Sequence, residues 1–125
     1  MSPSKEKISK FLEDDNHVLV VAEICKKPIG QAVGYVLKRW DAKPSKLFLY
    51  SIDVIETHRR QGIGRQLIEA FRQIGRESGC GSTFVPTSEW NIPAVRLYEA
   101  SDGKRTTASD AVTFEWVEAH PQAVD

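Results

Sequence analysis

The chain has 125 residues and a mass of 14.0 kDa, and its 17 basic and 17 acidic side chains give a formal net charge of +0. With 41% hydrophobic and 27% charged residues it has the composition of an ordinary globular domain with one core, so a single domain over residues 1–125 is expected. A balanced charge sets up no overall field toward nucleic acid or an anionic membrane, and no apolar run nears the length of a membrane span, nor does the polar N-terminus read as a signal peptide; a cytoplasmic protein is expected.

In chain order, Ser2-Pro3 or Ser4 is a helix start, with Ile8, Phe11 and Leu12 on one face and an end near Asp14-Asp15-Asn16. Val18 to Ile24 is apolar at odd and even positions, which predicts a strand covered on both faces. Lys26 to Gly30 reads as a turn, and Gln31 to Trp40 as the antiparallel return strand. Asp41 to Ser45 links it to a further strand, Leu47 to Ile55. Next come a basic glycine turn and an amphipathic helix with Ile63, Leu67, Ile68, Phe71 and Ile74 on one face, closed by Ser78-Gly79. Gly81 to Val85 should lie parallel to the 47–55 strand as a β-α-β unit. Asn91 is an N-cap with Pro93 in the first turn of a helix that ends at Ser101-Asp102-Gly103. Val112, Phe114 and Trp116 alternate as a final strand, and the tail from Val117 to Asp125 is peripheral. Cys25 and Cys80 are expected as buried free thiols, Trp40, Trp90 and Trp116 mostly as core or rim packing, and His17 and His120 as surface residues.

The chemistry centres on Arg59-Arg60-Gln61-Gly62-Ile63-Gly64, between a strand and a helix. A helix that opens on glycines offers unpaired backbone N–H groups and the positive end of its dipole, and glycines let a ligand approach the backbone. Arg59, Arg60 and Arg65 add positive charge, so the pattern calls for an anion, a phosphate or pyrophosphate. A P-loop would need Lys-Ser/Thr where Arg65-Gln66 stands, and a dinucleotide fingerprint would need a third glycine where Leu67 stands. The structural alternative is a surface loop with solvated arginines.

The remaining pattern, R-x-x-G-x-G with a strand before it, resembles the coenzyme A pyrophosphate loop of the GNAT N-acetyltransferase superfamily. Val54, Arg59, Gly62, Ile63, Gly64 and Leu67 fall at that family's spacing, and Asn91-x-x-Ala94-x-x-Leu97-Tyr98 resembles its second cofactor-side motif. The order α-β-β-β-α-β-α-β also resembles this fold, an α/β (α+β) mixed sheet with helices on its faces, without the usual first strand and first helix. Within the superfamily, Tyr50 to Val54, His58 to Ile63 and the Pro93-Ala94 helix start are similar to the aminoglycoside 3-N-acetyltransferase group. That group often carries an acid where this chain has Ser51.

The resemblance implies acetyl-CoA as acyl-donor substrate, no metal, and a small-molecule primary amine as acceptor. Backbone N–H groups of Arg60, Gln61, Gly62, Ile63, Gly64 and Arg65 would hold the pyrophosphate, with Arg59 and His58 beside it and Asn91 on the cofactor side. The strand end Ile52–Val54 would bond the pantetheine arm at a bulge, with the Val54 N–H facing the thioester carbonyl. Tyr98 would donate a proton to the departing sulfur, its alternative being a core tyrosine. Asp53 and Glu89 are candidates for the base, each with a plain surface reading beside it; an amine relayed through water would need neither. Trp90 would stand at the acceptor mouth.

Two functions remain open at this point: an N-acetyltransferase acting by direct attack in a ternary complex, and a CoA-binding module without an acceptor site of its own. Since the 18–24 strand would lie at the sheet edge, a homodimer that covers it is expected. No nucleic-acid or membrane partner is expected.

Overall fold

The computed structural model describes residues 4–106 and 112–118. Ser4 caps the first helix, α1 (Lys5–Phe11), its hydroxyl accepting from the Lys7 amide at 3.2 Å. The helix stops at Phe11, short of the acidic run, because Asp14 turns its carboxylate onto the Asn16 amide at 2.8 Å and its carbonyl onto the His17 amide at 3.0 Å. Such local bonds by Asp compete with helix continuation.

β1 (His17–Ile24) and β2 (Lys27–Leu37) form a hairpin, paired antiparallel from His17↔Tyr35 to Ile24↔Lys27. Its two turn residues, Cys25 and Lys26, have φ of 52° and 66°, the left-handed pair that matches strand twist in a two-residue hairpin. The return strand therefore starts at Lys27, inside the segment expected as a turn. Pro28 is accommodated at a register shift opposite Glu23, where it interrupts no regular ladder.

β3 (Ser45–Val54) pairs antiparallel with β2, and β4 (Cys80–Phe84) pairs parallel with β3, giving the sheet order β1-β2-β3-β4. Between β3 and β4 runs the crossover: a 3-10 turn at Glu56–His58, the glycine loop, and α2 (Ile63–Glu77). α2 lays Leu67, Ile68 and Phe71 on one face of the sheet, against Val18, Ala32, Val36, Leu47 and Leu49. Each such side chain contributes roughly 1.5–3 kcal/mol on burial, so this single interface anchors the domain. Gly79, at φ 82°, ends α2 in the left-handed conformation expected of it. α3 (Ile92–Ala100) closes with Asp102 at φ 66° and the Gly103 amide bonded to the Tyr98 carbonyl at 2.8 Å, a Schellman arrangement.

Several sequence expectations change. β1 is covered unevenly: Val18, Val20 and Ala22 meet the core, His17 and Leu19 on the other face are half-buried, and Val21 and Ile24 toward the hairpin tip are exposed. The strand lies at the sheet edge, as expected, but without full cover on both faces. Val112, Phe114 and Trp116 form no strand, and each side chain is 78% exposed. Alternation makes a segment fit for a ladder, but a ladder needs a partner, and β4 pairs only with β3. Trp40 and Trp90 are exposed rather than packed, and so is Cys25, at the hairpin tip. Cys80 is half-buried, and burial pushes its thiol pKa up.

His17 is not a plain surface residue. Its ring stacks on Phe11 at 4.2 Å and meets the edge of Tyr35 at 5.1 Å, and its Nδ1 is 2.6 Å from the Phe11 carbonyl. It ties the end of α1 to the sheet. His120 lies outside the described residues, as does the tail beyond residue 118.

Candidate active site

The β3–β4 ladder ends at Phe48↔Phe84, yet β3 continues to Val54. Among the described residues, the last part of β3 is paired on the β2 side alone, up to Gly30↔Val54, and its edge toward β4 has no strand partner. The two strands part here. The bulge lies earlier than expected: the register shifts between Val33 and Gly34, leaving Tyr50 as the extra residue in β3, ahead of Ile52–Val54.

From Val54 the chain passes through the 3-10 turn to the loop. Arg60 has φ 64°, and Gly62, the N-cap of α2, has φ 82° with no side-chain cap. The first helical bond runs from the Gln66 amide to the Gly62 carbonyl at 3.2 Å, so the N–H groups of Ile63, Gly64 and Arg65 precede the ladder and find no acceptor within the helix. No acidic residue stands in this first turn, and among the described residues neither Arg60 nor Arg65 is in an ion pair. Beside it opens a depression of about 410 Å³ lined by Gly62, Arg65, Gln66, Ile68, Glu69 and Ser101. The result is a cationic cradle with free backbone donors, suited to a phosphate group.

Gly64 serves packing. A methyl group there would lie 3.0 Å from Cδ1 of Leu97, so the bare backbone lets α3 cross close to the start of α2. Tyr98 follows Leu97 and packs half-buried against the core. Burial pushes its phenol above the ordinary value, and its hydroxyl has no hydrogen-bond partner among the described residues. A neutral, uncommitted phenol can serve as a proton donor.

The remaining expected residues are engaged elsewhere. Arg59 turns back to β3, its Nε donating to the Val54 carbonyl at 2.7 Å and its Nη2 lying 3.3 Å from Asp53 Oδ1. The Val54 amide, expected to face a thioester oxygen, donates to Asp53 Oδ1 at 3.0 Å. Glu89 is held by Arg105 at 2.6 Å. The two candidate bases are thus each matched to a different arginine. Asn91 caps α3, its Oδ1 accepting from the Ala94 amide at 3.3 Å. His58 shares a 2.9 Å contact with the Thr57 hydroxyl. Ser101, Glu69 and Arg105 were not singled out by sequence reasoning; Glu69 lies on α2, paired with Arg72 and Arg76 of the same helix, while Ser101 and Arg105 are placed by the end of α3 and the segment after it.

The chain is 26% identical over 99 residues to N-acetyltransferase 8 of Homo sapiens, covering 79% of this chain and 44% of that protein. It is 30% identical over 98 residues to the probable N-acetyltransferase camello of Xenopus laevis, covering 78% and 43% respectively. It spans less than half the length of these curated relatives. Among solved structures, an aminoglycoside acetyltransferase from an uncultured soil metagenomic sample, in complex with sisomicin, superposes with a TM-score of 0.80 at 27% identity, over 95% of this chain and 77% of that one. The acetyltransferase (GNAT) family model matches residues 1–103, and the chain belongs to that family.

Proposed function

We propose that the protein is an N-acetyltransferase that moves the acetyl group of acetyl-CoA to a primary amine of a small molecule, by direct attack in a ternary complex. The observation that carries this reading is the start of α2: a helix N-terminus on Gly62 in the left-handed conformation, without a side-chain cap, with Arg60 and Arg65 in no ion pair among the described residues. The free N–H groups and the two cations would hold the pyrophosphate, and the unpaired edge of β3 at Ile52–Val54 would bond the pantetheine arm as a further strand. Acetyl-CoA supplies an activated acyl group as a thioester. As the amine nitrogen attacks the carbonyl carbon, a C–N bond forms and the C–S bond breaks; Tyr98 gives its proton to the leaving sulfur and recovers one from solvent, while the amine's proton goes to water. With Asp53 and Glu89 both matched to arginines, no carboxylate base is assigned.

Aminoglycosides are the first acceptors to test, given the likeness to aminoglycoside acetyltransferases. The reading extends to one domain over residues 1–125 acting as a homodimer, supported by the exposed Val21 and Ile24 on the edge strand, and to the cytoplasm, where the free thiols of Cys25 and Cys80 would stay reduced. Release of CoA thiol from acetyl-CoA against aminoglycosides, polyamines and amino acids tests it. Measurable CoA binding with no turnover on any amine would favour a CoA-binding module instead, a reading that the paired state of Asp53 and Glu89 also suits.

A further inference from the structure

At the C-terminal end of β3 three residues form a closed set. The Ile55 amide donates to the Ile29 carbonyl at 2.8 Å, so strand alternation turns the N–H and C=O of Val54 the other way, toward the edge that β4 leaves open. Both of these groups have partners from within the chain. The carbonyl accepts from Arg59 Nε at 2.7 Å, and the N–H donates to Asp53 Oδ1 at 3.0 Å. Arg59 Nη2 lies 3.3 Å from that same carboxylate oxygen and closes the set. An arginine read from its motif as one more phosphate cation has its fork on the strand.

We infer that Arg59 is a positioning residue, a strap that keeps the open end of β3 extended so that an incoming chain can pair with it. Among the described residues no strand pairs with this end on the β4 side, and an unpaired strand terminus frays. The guanidinium replaces the missing neighbour at one carbonyl and orients the Asp53 carboxylate. Phosphate charge is then left to Arg60, Arg65 and the backbone of α2. The inference deepens the proposed cofactor site and rests on that reading for its effect on the pantetheine arm; the strap itself does not.

The two roles separate with two ligands. CoA carries both pyrophosphate and arm, whereas ADP carries a pyrophosphate and no arm. By calorimetry, Arg59→Gln is expected to weaken CoA on the order of tenfold, the loss of one charge-assisted bond, and to leave ADP within about twofold. Arg59→Lys keeps the charge and loses the fork, and is expected to follow the Gln variant. Equal losses for CoA and ADP, or restoration of CoA affinity by Lys, would make Arg59 a phosphate ligand and overturn the strap. A second measurement needs no ligand. Amide exchange at Val54 and Ile55 in the free protein should accelerate in Arg59→Gln, while exchange along α2 stays as in the parent; unchanged exchange at Val54 and Ile55 overturns the strap. A parent protein that binds neither CoA nor ADP, with exchange still responding to Arg59→Gln, would sink the cofactor reading and uphold the strap.

Discussion

Gly34 lies directly against the backbone of Phe48: a methyl group at position 34 would collide with the Phe48 carbonyl oxygen and stand 2.5 Å from Cζ of Phe71. The contact occurs where β3 gains its extra residue, Tyr50, so the strand that carries the site and the core beneath it meet at a position with no room for a side chain. Gly34→Ala is expected to destabilise the fold by about 3 kcal/mol, the upper end for overpacking, because one obstacle is backbone and cannot change rotamer. Urea unfolding checks this; a loss under about 1 kcal/mol would show that the strands can part at the bulge without penalty.

Gly62→Asp tests the anion cradle. Nothing lies within 4 Å of where its Cβ would be, and Asp tolerates the left-handed region better than most residues, so the domain should stay folded. The new carboxylate would face the site expected to hold pyrophosphate, with each lost charge-assisted bond worth about 1.5–3 kcal/mol. Calorimetry should show CoA affinity reduced by at least about tenfold; unchanged affinity would remove the pyrophosphate from this loop.

Tyr98→Phe should leave CoA binding near its parent value and lower turnover by roughly 10²–10⁴-fold if the phenol is the acid. Turnover equal to the parent's would make Tyr98 a packing residue. The same substitution has a pH signature. Burial raises the phenol above its ordinary 10.0, so the folded state favours its neutral form. That contribution is complete below the ordinary value and disappears as pH rises through the raised one. The stability of the parent should therefore decline faster at alkaline pH than that of Tyr98→Phe, with the two profiles parallel at neutral pH.

Sedimentation at micromolar concentration is expected to give a species of twice the 14.0 kDa chain mass. Val21→Lys, on the exposed side of the edge strand, should shift it toward the single chain. A single-chain species for the parent would mean that the edge is tolerated uncovered.

What was legible in the sequence was what short-range physics dictates. Ser4 and Asn91 are caps wherever they precede a helix, Gly79 needs no neighbour to end one, and the spacing of Leu67, Ile68 and Phe71 fixes which side of α2 is buried. Illegible were the features decided by partners far along the chain. Val18 to Ile24 was placed at the sheet edge from the order of elements, but its apolar content does not record how much of each face is covered. Trp40 and Trp90 look like core because size is visible in a sequence and exposure is not. At the site, the glycines and arginines were found, but the direction of each side chain was not: Arg59 turned to the strand, Asp53 to the next amide, and Glu89 to an arginine sixteen residues away.

The hairpin turn at Cys25-Lys26 has a bearing on how the chain comes together during synthesis. β1 and β2 can zip as soon as both have emerged, since only two residues separate Ile24 from Lys27. Their core-facing side, Val18, Ala32 and Val36, has no cover until α2 has been made, and β3 meets β4 only after the whole crossover is complete. Isolated two-stranded ribbons are marginal in water, so the nascent chain passes through an interval in which it displays an apolar ribbon with two open edges. Translation speed and chaperone occupancy over residues 38–77 would then govern the yield of folded protein more than the final stability of the fold does.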